Sequence, residues 1–394
     1  MNPTYIKEQF IQNLLIWYER NKRELAFRKD KNPYRIWISE IMAQQTRIET
    51  MIPYFERFIQ KYPDVKSLSQ ADDDELMAMW QGLGYYSRAR SLKKAAIMIM
   101  EEYDGVFPLK KEELKKLPGI GDYTAGAIAS IAGRQKASAI DGNVIRVFSR
   151  LFEFGEDPGK ASGKKQMTAL VEAFLPEADL CGDFNQALME IGALVCLPKS
   201  PSCSFCPLEK FCLSRKSGKQ LEYPMKSIKK PRTIENREIW VIARESMENK
   251  KDHSHVSRAS YDIKIQKRSE KGLLSGLFEF GEQKPQGKEY RVFDLGSYIH
   301  IFSHKEWHMN AKLAVISYED SERLCQQTDS LQKKPDHAQF VPMDDIASVY
   351  ALPTAFMPFF NRVRKILNDQ ANMNQSDSMT IQTIGLENEK DEFK

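Results

Sequence analysis

The 394-residue sequence has few cysteines, six in all, and no long apolar run. No uninterrupted apolar stretch approaches the roughly 20 residues that a transmembrane helix needs, which argues against a membrane protein or a membrane partner. The first residues also lack the basic leader and the small-residue cleavage site of a secretory signal. We therefore expect a cytoplasmic protein.

The remaining composition is that of an ordinary globular protein with a mildly basic balance. Hydrophobic residues make up 42% of the sequence, and the formal net charge is +4. The length predicts two or three domains, each large enough to bury its own core. The sequence contains no internal repeat.

Four of the six cysteines are clustered. They have the spacing C-x6-C-x2-C-x5-C and comprise Cys196, Cys203, Cys206 and Cys212. The cytoplasm disfavours disulfides, so this spacing indicates ligands of a metal or of a cluster. Zinc is the alternative to an iron-sulfur cluster, because C-x2-C is common in zinc sites. Cys181 and Cys325 lie outside the pattern, and we assign them no role.

The distribution of apolar residues predicts a multidomain protein. Helical periodicity, beginning with Phe10, Leu14 and Trp17, predicts an all-α domain over residues 1–222. A basic, proline-containing linker over 223–237 follows. Alternating runs such as EIWVIARE and YDIKIQKR then predict a smaller α+β domain over 238–367, closed by a short helix near PTAFMPFFNRVRKIL. The polar residues 368–394 lack a dense apolar face and predict a disordered tail.

The segment at 112–133, EELKKLPGIGDYTAGAIASIAG, predicts two helices joined by a turn that contains Gly119 and Gly121. Glycines allow a ligand to approach the backbone, and the amides that open the second helix suit a phosphate. The alternative is an ordinary tight helical hairpin. A dinucleotide-binding fingerprint would need a strand before Gly119, whereas the segment before Gly119 has a helical pattern. We therefore expect no nucleotide cofactor.

Three further segments carry a family resemblance: AIDGNVIR at 139–146, WISEIMAQQTRIETMIPYFERF at 37–58 and QGLGYYSRARSL at 81–92. With the hairpin they resemble the helix-hairpin-helix DNA glycosylase superfamily and, within it, adenine DNA glycosylases of the MutY type. The resemblance implies a monomer that removes adenine opposite 8-oxoguanine or guanine in double-stranded DNA. It also implies one [4Fe-4S] cluster on the four cysteines and a monovalent cation at the hairpin.

The resemblance also implies roles for individual residues. Glu40 matches the general acid that protonates adenine N7, and its apolar neighbours should raise its pKa by desolvation. Asp141 matches the carboxylate that stabilises the sugar cation or attacks it. Asn143 would orient Asp141, and Tyr123 would donate a hydrogen bond to that carboxylate. Taken alone, Glu40 and Asp141 would be cap or surface residues of a helical protein.

Other matching positions would contact the DNA. Gln186 and Arg28 match residues that line the adenine pocket, although Phe27 replaces the usual tryptophan beside Arg28. The positions that match contacts to 8-oxoguanine are Gln45, Thr46, Leu83 and Tyr85, with Tyr85 as the intercalating wedge. Without the resemblance, Tyr85 would be a core aromatic and Gln45 an exposed polar residue of a helix.

The C-terminal part resembles the Nudix-like domain by which this family recognises 8-oxoguanine. Ser303, in the tripeptide FSH, matches the residue that contacts the lesion. The Nudix metal box is absent, and the segment between Gly281 and Tyr290 is too short to hold it, so hydrolysis of nucleotides is not expected.

Two rival functions stay open. One is a glycosylase/lyase of the endonuclease III type or a thymine-mismatch glycosylase, which shares the N-terminal architecture. In superfamily members that also cut the strand, a lysine occupies the position of Tyr123, so a monofunctional enzyme is expected here. The other is a non-catalytic DNA-binding or redox-sensing iron-sulfur protein, which Glu40 and Asp141 disfavour.

Overall fold

The computed structural model describes residues 3–227, 231–246, 260–269, 272–285, 290–322, 338–346 and 349–370. They divide into two compact units. The first is drawn from Met1–Ala71 and Ser87–Lys229, and the second from Asp72–Tyr86 and Lys230–Lys394. Among the described residues, no helix combines the length and the apolar character that crossing a bilayer requires.

The first unit is helical, as the sequence predicts. Its helices are α1 (Pro3–Asn21), α2 (Pro33–Ala43), α3 (Ile48–Lys61), α4 (Val65–Ser69), α6 (Ser87–Glu102), α7 (Lys111–Leu114), α8 (Asp122–Ile131), α9 (Gly142–Phe152), α10 (Ala161–Ala173), α11 (Ala178–Leu194) and α12 (Leu213–Ser217). The intervening helix α5 (Asp73–Met79) lies in the second unit. Short 3-10 turns occur at Ala26–Arg28, Cys203–Phe205 and Glu209–Phe211.

Local sequence fixes the start of α2, the helix that carries Glu40. The side chain of Asn32 accepts a hydrogen bond from the Arg35 backbone N–H, and Pro33 occupies the first helical position, where it needs no hydrogen bond. The helix is buried on most of its circumference, and its buried side chains include Trp37 and Ile38. A well-capped helix that is packed on most sides holds Glu40 in a fixed position.

Aromatic side chains form the core between α1, α9 and α11. Phe10 lies within 6.4 Å, centroid to centroid, of each of its partners Phe148, Phe174 and Phe184. Phe10, Phe148 and Phe184 are fully buried. Edge and tilted aromatic contacts of this kind add about 0.5–1.5 kcal/mol to the burial energy. The core therefore fixes α9 and α11, which carry Asp141 and Gln186.

The predicted helical hairpin is confirmed. Helices α7 and α8 flank the turn, and Gly119 adopts a left-handed conformation with φ of +79°. A Cβ atom at Gly119 would lie 2.6 Å from the Cβ of Ser91, so this position excludes larger residues. Gly121 is the N-cap of α8 and leaves the first amides of that helix open.

The second unit contains a six-stranded sheet, which confirms the predicted sheet-containing C-terminal part. Its strands are β1 (Thr233–Glu245), β2 (Tyr261–Lys267), β3 (Phe278–Glu279), β4 (Arg291–Ile301), β5 (Lys305–Ile316) and β6 (Gln339–Pro342). The order is β3-β2-β1-β5-β4, and β6 pairs with β2. Strands β1 and β5 are parallel, and the other pairs are antiparallel.

Two further helices belong to this unit, α13 at 318–322 and α14 at 357–370. Phe359, Val363 and Leu367 of α14 are buried in the same core as Trp307 of β5. This arrangement confirms the predicted closing helix. Residues 368–370 are still helical, so the predicted tail begins too early, and its remaining residues lie outside the described part of the chain.

Two boundaries differ from the sequence analysis. Strand β1 begins at Thr233, inside the predicted linker 223–237. Most side chains in its first half are exposed, so that half has no apolar alternation to reveal it. The segment Asp72–Tyr86 groups with the second unit although it falls within the predicted helical domain. There, Lys267 pairs with Asp74 at 2.7 Å, and Gln81 donates to the Leu352 carbonyl at 3.0 Å.

Candidate active site

The first unit contains a cavity of about 620 Å³. Its walls come from residues 22–31, from α2 and from α11. Arg28, Glu40 and Gln186, which are far apart in the sequence, all line it. The volume lies within the range of about 300–1,000 Å³ that is usual for small-molecule pockets, so a nucleobase can be enclosed. Phe27 also lines the cavity and packs against Phe55 at 5.9 Å.

Tyr123 and Glu40 are directly hydrogen-bonded. The Tyr123 hydroxyl donates to Glu40 Oε2 over 2.5 Å and also lies 3.7 Å from the Met189 sulfur. The prediction that Tyr123 bonds to Asp141 was therefore wrong. Tyr123 stands at the start of α8, and its position there brings the phenol to α2 rather than to the start of α9.

The environment of Glu40 favours its protonated form. Burial raises the pKa of Glu40 to about 6, and the negative charge of Asp141 adds to the rise. The hydrogen bond from Tyr123 and the charge of Arg28 oppose it. Burial also raises the pKa of Tyr123 well above its usual value, so the phenol stays a neutral donor. Glu40 is thus a carboxyl group that can give up or accept a proton near neutral pH.

Asp141 is the N-cap of α9. Its side chain accepts from the Val144 backbone N–H at 2.8 Å and from Asn143 Nδ2 at 2.7 Å. Burial raises the pKa of Asp141, while these hydrogen bonds and the charge of Arg146 oppose the rise. The two carboxyl groups therefore have different surroundings, since Glu40 receives a phenol and Asp141 receives amides.

Sequence analysis did not identify Glu190. This side chain on α11 is fully buried, accepts a hydrogen bond from Arg23 Nε at 2.8 Å and forms an ion pair with Arg28 Nη2 at 2.9 Å. Both arginines line the cavity. The available signal was a helical spacing, because Glu190 lies one turn beyond Gln186 on the same helix.

Sequence analysis also missed two arginines of α9. Arg146 donates to the Cys196 carbonyl at 2.7 Å and to Asn143 Oδ1 at 2.8 Å, so it joins the Asp141 region to the start of the cysteine loop. Arg150 is almost fully buried and lies 3.3 Å from the Cys196 sulfur. Spacings of three and seven residues from Asn143 place both arginines on its face of the helix.

The four predicted cysteine ligands line one small cavity together with Arg150. Gln220 also donates towards a thiol, with its Nε2 3.9 Å from the Cys203 sulfur. Among the described residues, no group of three or more His, Cys, Asp or Glu side chains is arranged to hold a single metal ion.

The predicted DNA-contacting residues fall in both units. Gln45 and Thr46 lie in the first unit, whereas Leu83, Tyr85 and Ser303 lie in the second. Gln45 and Tyr85 both have positive φ, 58° and 49°, which is uncommon for residues other than glycine. Leu83 is buried, but Tyr85 is 48% exposed. Ser303 is exposed in the turn between β4 and β5, beside His304.

Comparison with known proteins identifies the family. The profile described as "HhH-GPD superfamily base excision DNA repair protein" matches residues 38–173. An adenine DNA glycosylase of Buchnera aphidicola subsp. Schizaphis graminum is 34% identical over 322 residues, which cover 78% of this chain and 88% of that protein. The chain belongs to the adenine DNA glycosylase family. The predicted membership of the MutY type within the helix-hairpin-helix superfamily is confirmed.

Other members of the adenine DNA glycosylase family are longer. The human adenine DNA glycosylase is 43% identical over 220 residues, which cover 54% of this chain and 40% of the human protein. The solved structure of a thermostable thymine-DNA glycosylase aligns with 55% of this chain and all of its own, with 27% identity and a TM-score of 0.50. That likeness supports the helical glycosylase core.

Proposed function

We propose that this adenine DNA glycosylase family member hydrolyses the N-glycosidic bond of adenine that is mispaired with 8-oxoguanine or guanine. The observation that carries the proposal is Glu40, a carboxyl group with a pKa of about 6 that lines a cavity large enough to enclose a nucleobase. Asp141 supplies the second carboxyl group that such a reaction needs. The product is free adenine and an abasic site, the first intermediate of base-excision repair.

Glu40 is the general acid. It gives its proton to N7 of the extruded adenine, and the electrons of the breaking N-glycosidic bond pass to the base, which leaves neutral. The raised pKa keeps a useful fraction of Glu40 protonated near pH 6, and Tyr123 holds the carboxyl group in place.

Asp141 stabilises the positive charge that develops on the sugar, either as a nearby carboxylate or by brief attack on the anomeric carbon. Its hydrogen bonds from Asn143 and the Val144 amide orient it and support the ionised form. Glu40, now ionised, then takes a proton from the attacking water. The proton given to the base is thereby replaced, and the enzyme returns to its starting state.

Binding falls to other residues. Arg28 and Gln186 recognise the adenine within the cavity, and the hairpin at Gly119 and Gly121 binds the DNA backbone through open amides. Tyr85 fills the gap that the extruded base leaves, with Gln45, Thr46 and Leu83 around the opposing base. The exposed phenol of Tyr85 on a loop with positive φ suits that role. A monovalent cation at the hairpin stays a prediction.

Cys196, Cys203, Cys206 and Cys212 would hold a [4Fe-4S] cluster. A single zinc ion needs its four thiolates within about 2.3 Å of one centre, whereas each thiolate of the cluster binds a different iron. The four cysteines share one cavity, and the donors Arg150 and Gln220 beside their sulfurs suit an anionic group held by thiolates. The cluster would supply a structural cross-link and local charge.

The helical domain (1–222) would remove the base, and the C-terminal domain (238–367) would recognise 8-oxoguanine in a Nudix-like manner through Ser303. The exposed position of Ser303 at the tip of a hairpin supports this division. The enzyme would act as a monomer on double-stranded DNA. It would not cut the strand, because a phenol at position 123 cannot form a Schiff base.

A single gel assay tests the proposal. Duplexes carrying A opposite 8-oxoguanine, A opposite G and T opposite G are incubated with the protein and then treated with hot alkali to reveal abasic sites. We expect cleavage at adenine in the first two duplexes, fastest opposite 8-oxoguanine, and none at thymine. Cleavage confined to the T·G duplex would instead identify a thymine-mismatch glycosylase.

A further inference from the structure

We propose that Glu190 is a positioning residue for base recognition, which acts by fixing the guanidinium of Arg28 at the wall of the cavity. This inference deepens the proposed function and rests on it, since it assigns a residue to the recognition of the extruded base. Glu190 does not itself line the cavity. Its effect on the reaction must therefore pass through the residues that it holds.

Both carboxylate oxygens of Glu190 contact the segment that connects α1 to α2. Oε1 accepts from the backbone N–H of Arg23 at 2.9 Å and from its Nε at 2.8 Å. Oε2 accepts from Arg23 Nη2 at 3.2 Å and forms an ion pair with Arg28 Nη2 at 2.9 Å. One carboxylate thus ties two points of an irregular cavity wall to α11.

Because Glu190 is buried, its carboxylate depends on these contacts to remain charged. The side chain has no exposed surface, and a buried charge persists only when it is paired and hydrogen-bonded. Burial alone would raise the pKa of Glu190, but the hydrogen bonds from Arg23 and the charge of Arg28 outweigh it and lower that pKa. Glu190 therefore stays ionised and remains bound to both arginines.

Of the two arginines that Glu190 binds, Arg28 is the one that can affect the reaction. Its Nη1 is buried without a hydrogen-bond partner among the described residues, although Arg28 lines the cavity. An unsatisfied buried donor is costly, and an acceptor atom of a purine would satisfy it. The charge of Arg28 also lowers the pKa of both Glu40 and Tyr123, so this guanidinium acts on the proposed acid as well.

A double-mutant cycle tests whether Glu190 acts through Arg28. Glu190→Gln, Arg28→Met and the double variant are compared with the unmodified full-length protein, each checked by thermal melting. The readouts are the single-turnover rate of adenine release and the Kd of the A opposite 8-oxoguanine duplex. Glu177→Gln serves as the matched control, because Glu177 is the exposed N-cap of the same helix.

We expect Glu190→Gln to slow adenine release about ten- to a hundredfold, the size of a lost hydrogen bond to a charged group. The duplex Kd should change less than about threefold, and Glu177→Gln should match the unmodified protein. The double variant should be within about threefold of Arg28→Met, since the two residues then act as one unit. A double variant slowed by the product of the two single effects would overturn the inference.

If Glu190→Gln does not fold, a second variant tests the inference. Arg28→Lys keeps the charge but replaces the two-pronged guanidinium by one ammonium, so it cannot bind Glu190 and a base in the same geometry. It should also slow adenine release at least about tenfold, and a rate equal to that of the unmodified protein would refute the inference. If the unmodified protein releases no adenine at all, the proposed function itself fails, independently of Glu190.

Discussion

Tyr123 donates a hydrogen bond to Glu40, and the two oxygens are 2.5 Å apart. This contact joins α8, which follows the DNA-binding hairpin in the proposal, to α2, which carries the proposed acid. Burial raises the pKa of Tyr123 well above its usual value, so the phenol stays neutral and cannot replace the carboxyl group as the acid. Tyr123 therefore tunes and holds Glu40.

The first prediction concerns pH. The hydrogen bond from Tyr123 lowers the pKa of Glu40 from what burial alone would give, so Tyr123→Phe should raise that pKa above about 6. In the proposed mechanism the reaction needs protonated Glu40, so its rate should fall as pH rises through this pKa. In the variant, the fall in rate should move to higher pH. The measurement is the rate of adenine release at subsaturating enzyme, because its pH dependence gives the pKa of groups in the free enzyme.

Tyr34→Phe is the control for that experiment. Tyr34 is also buried, but it donates to the backbone carbonyl of Tyr62. Its loss should reduce the melting temperature and leave the pH midpoint in place. A midpoint in Tyr123→Phe that is unchanged or shifted to lower pH would show that the contact does not tune Glu40.

The second prediction is that base release leaves the DNA strand intact. Lys115, which precedes the hairpin turn, is paired with Asp122 at 2.7 Å, and the place of the lyase lysine is occupied by Tyr123. After incubation with A opposite 8-oxoguanine, strand breaks should appear only in samples treated with hot alkali. Breaks in neutral samples at the rate of base release, with a borohydride-trapped adduct in high yield, would identify a lyase.

The sequence was most informative where a structural feature depends on residues that are close together in the sequence. The hairpin at Gly119 and Gly121 and the cysteine spacing are local patterns, and most strand positions followed from local alternation of apolar residues. Strand β6 was missed because its four residues are too few to establish a period. Strand β1 was predicted five residues too short because its first half is largely exposed on both faces.

Contacts between distant segments could not be predicted in this way. Glu190 meets Arg23 across 167 positions of sequence, and its helical spacing from Gln186 does not reveal that partner. The partner of Tyr123 was misassigned for the same reason, since the choice between Glu40 and Asp141 depends on how α8 packs against α2. The resemblance supplied residue types and positions, but not this geometry.

The third prediction concerns the cysteine set. Protein prepared without oxygen should contain about four iron atoms and four sulfides per chain and absorb in the visible iron-sulfur region. Cys203→Ser should lower iron content and soluble yield, whereas Cys181→Ser should keep the iron, because Cys181 does not line the cavity of the four cysteines and donates to the Pro176 carbonyl. Stoichiometric zinc without iron would overturn the cluster.

The fourth prediction concerns the opposing base. Ser303→Ala should reduce the preference for 8-oxoguanine over guanine about fivefold, the value of one hydrogen bond of about 1 kcal/mol. Ser297→Ala is the matched control, because Ser297 is an exposed serine of β4 that bonds to Asn310 across the same hairpin. Equal preferences in all three proteins would remove Ser303 from lesion recognition.

The central claim is that Glu40 and Asp141 divide the cleavage of the N-glycosidic bond. Its most direct test is the single-turnover rate of adenine release from an A opposite 8-oxoguanine duplex by the unmodified protein, Glu40→Gln and Asp141→Asn. Both variants should bind the duplex with near-normal Kd and release adenine at least about a hundredfold more slowly. Release by Glu40→Gln at a rate close to that of the unmodified protein would contradict the account.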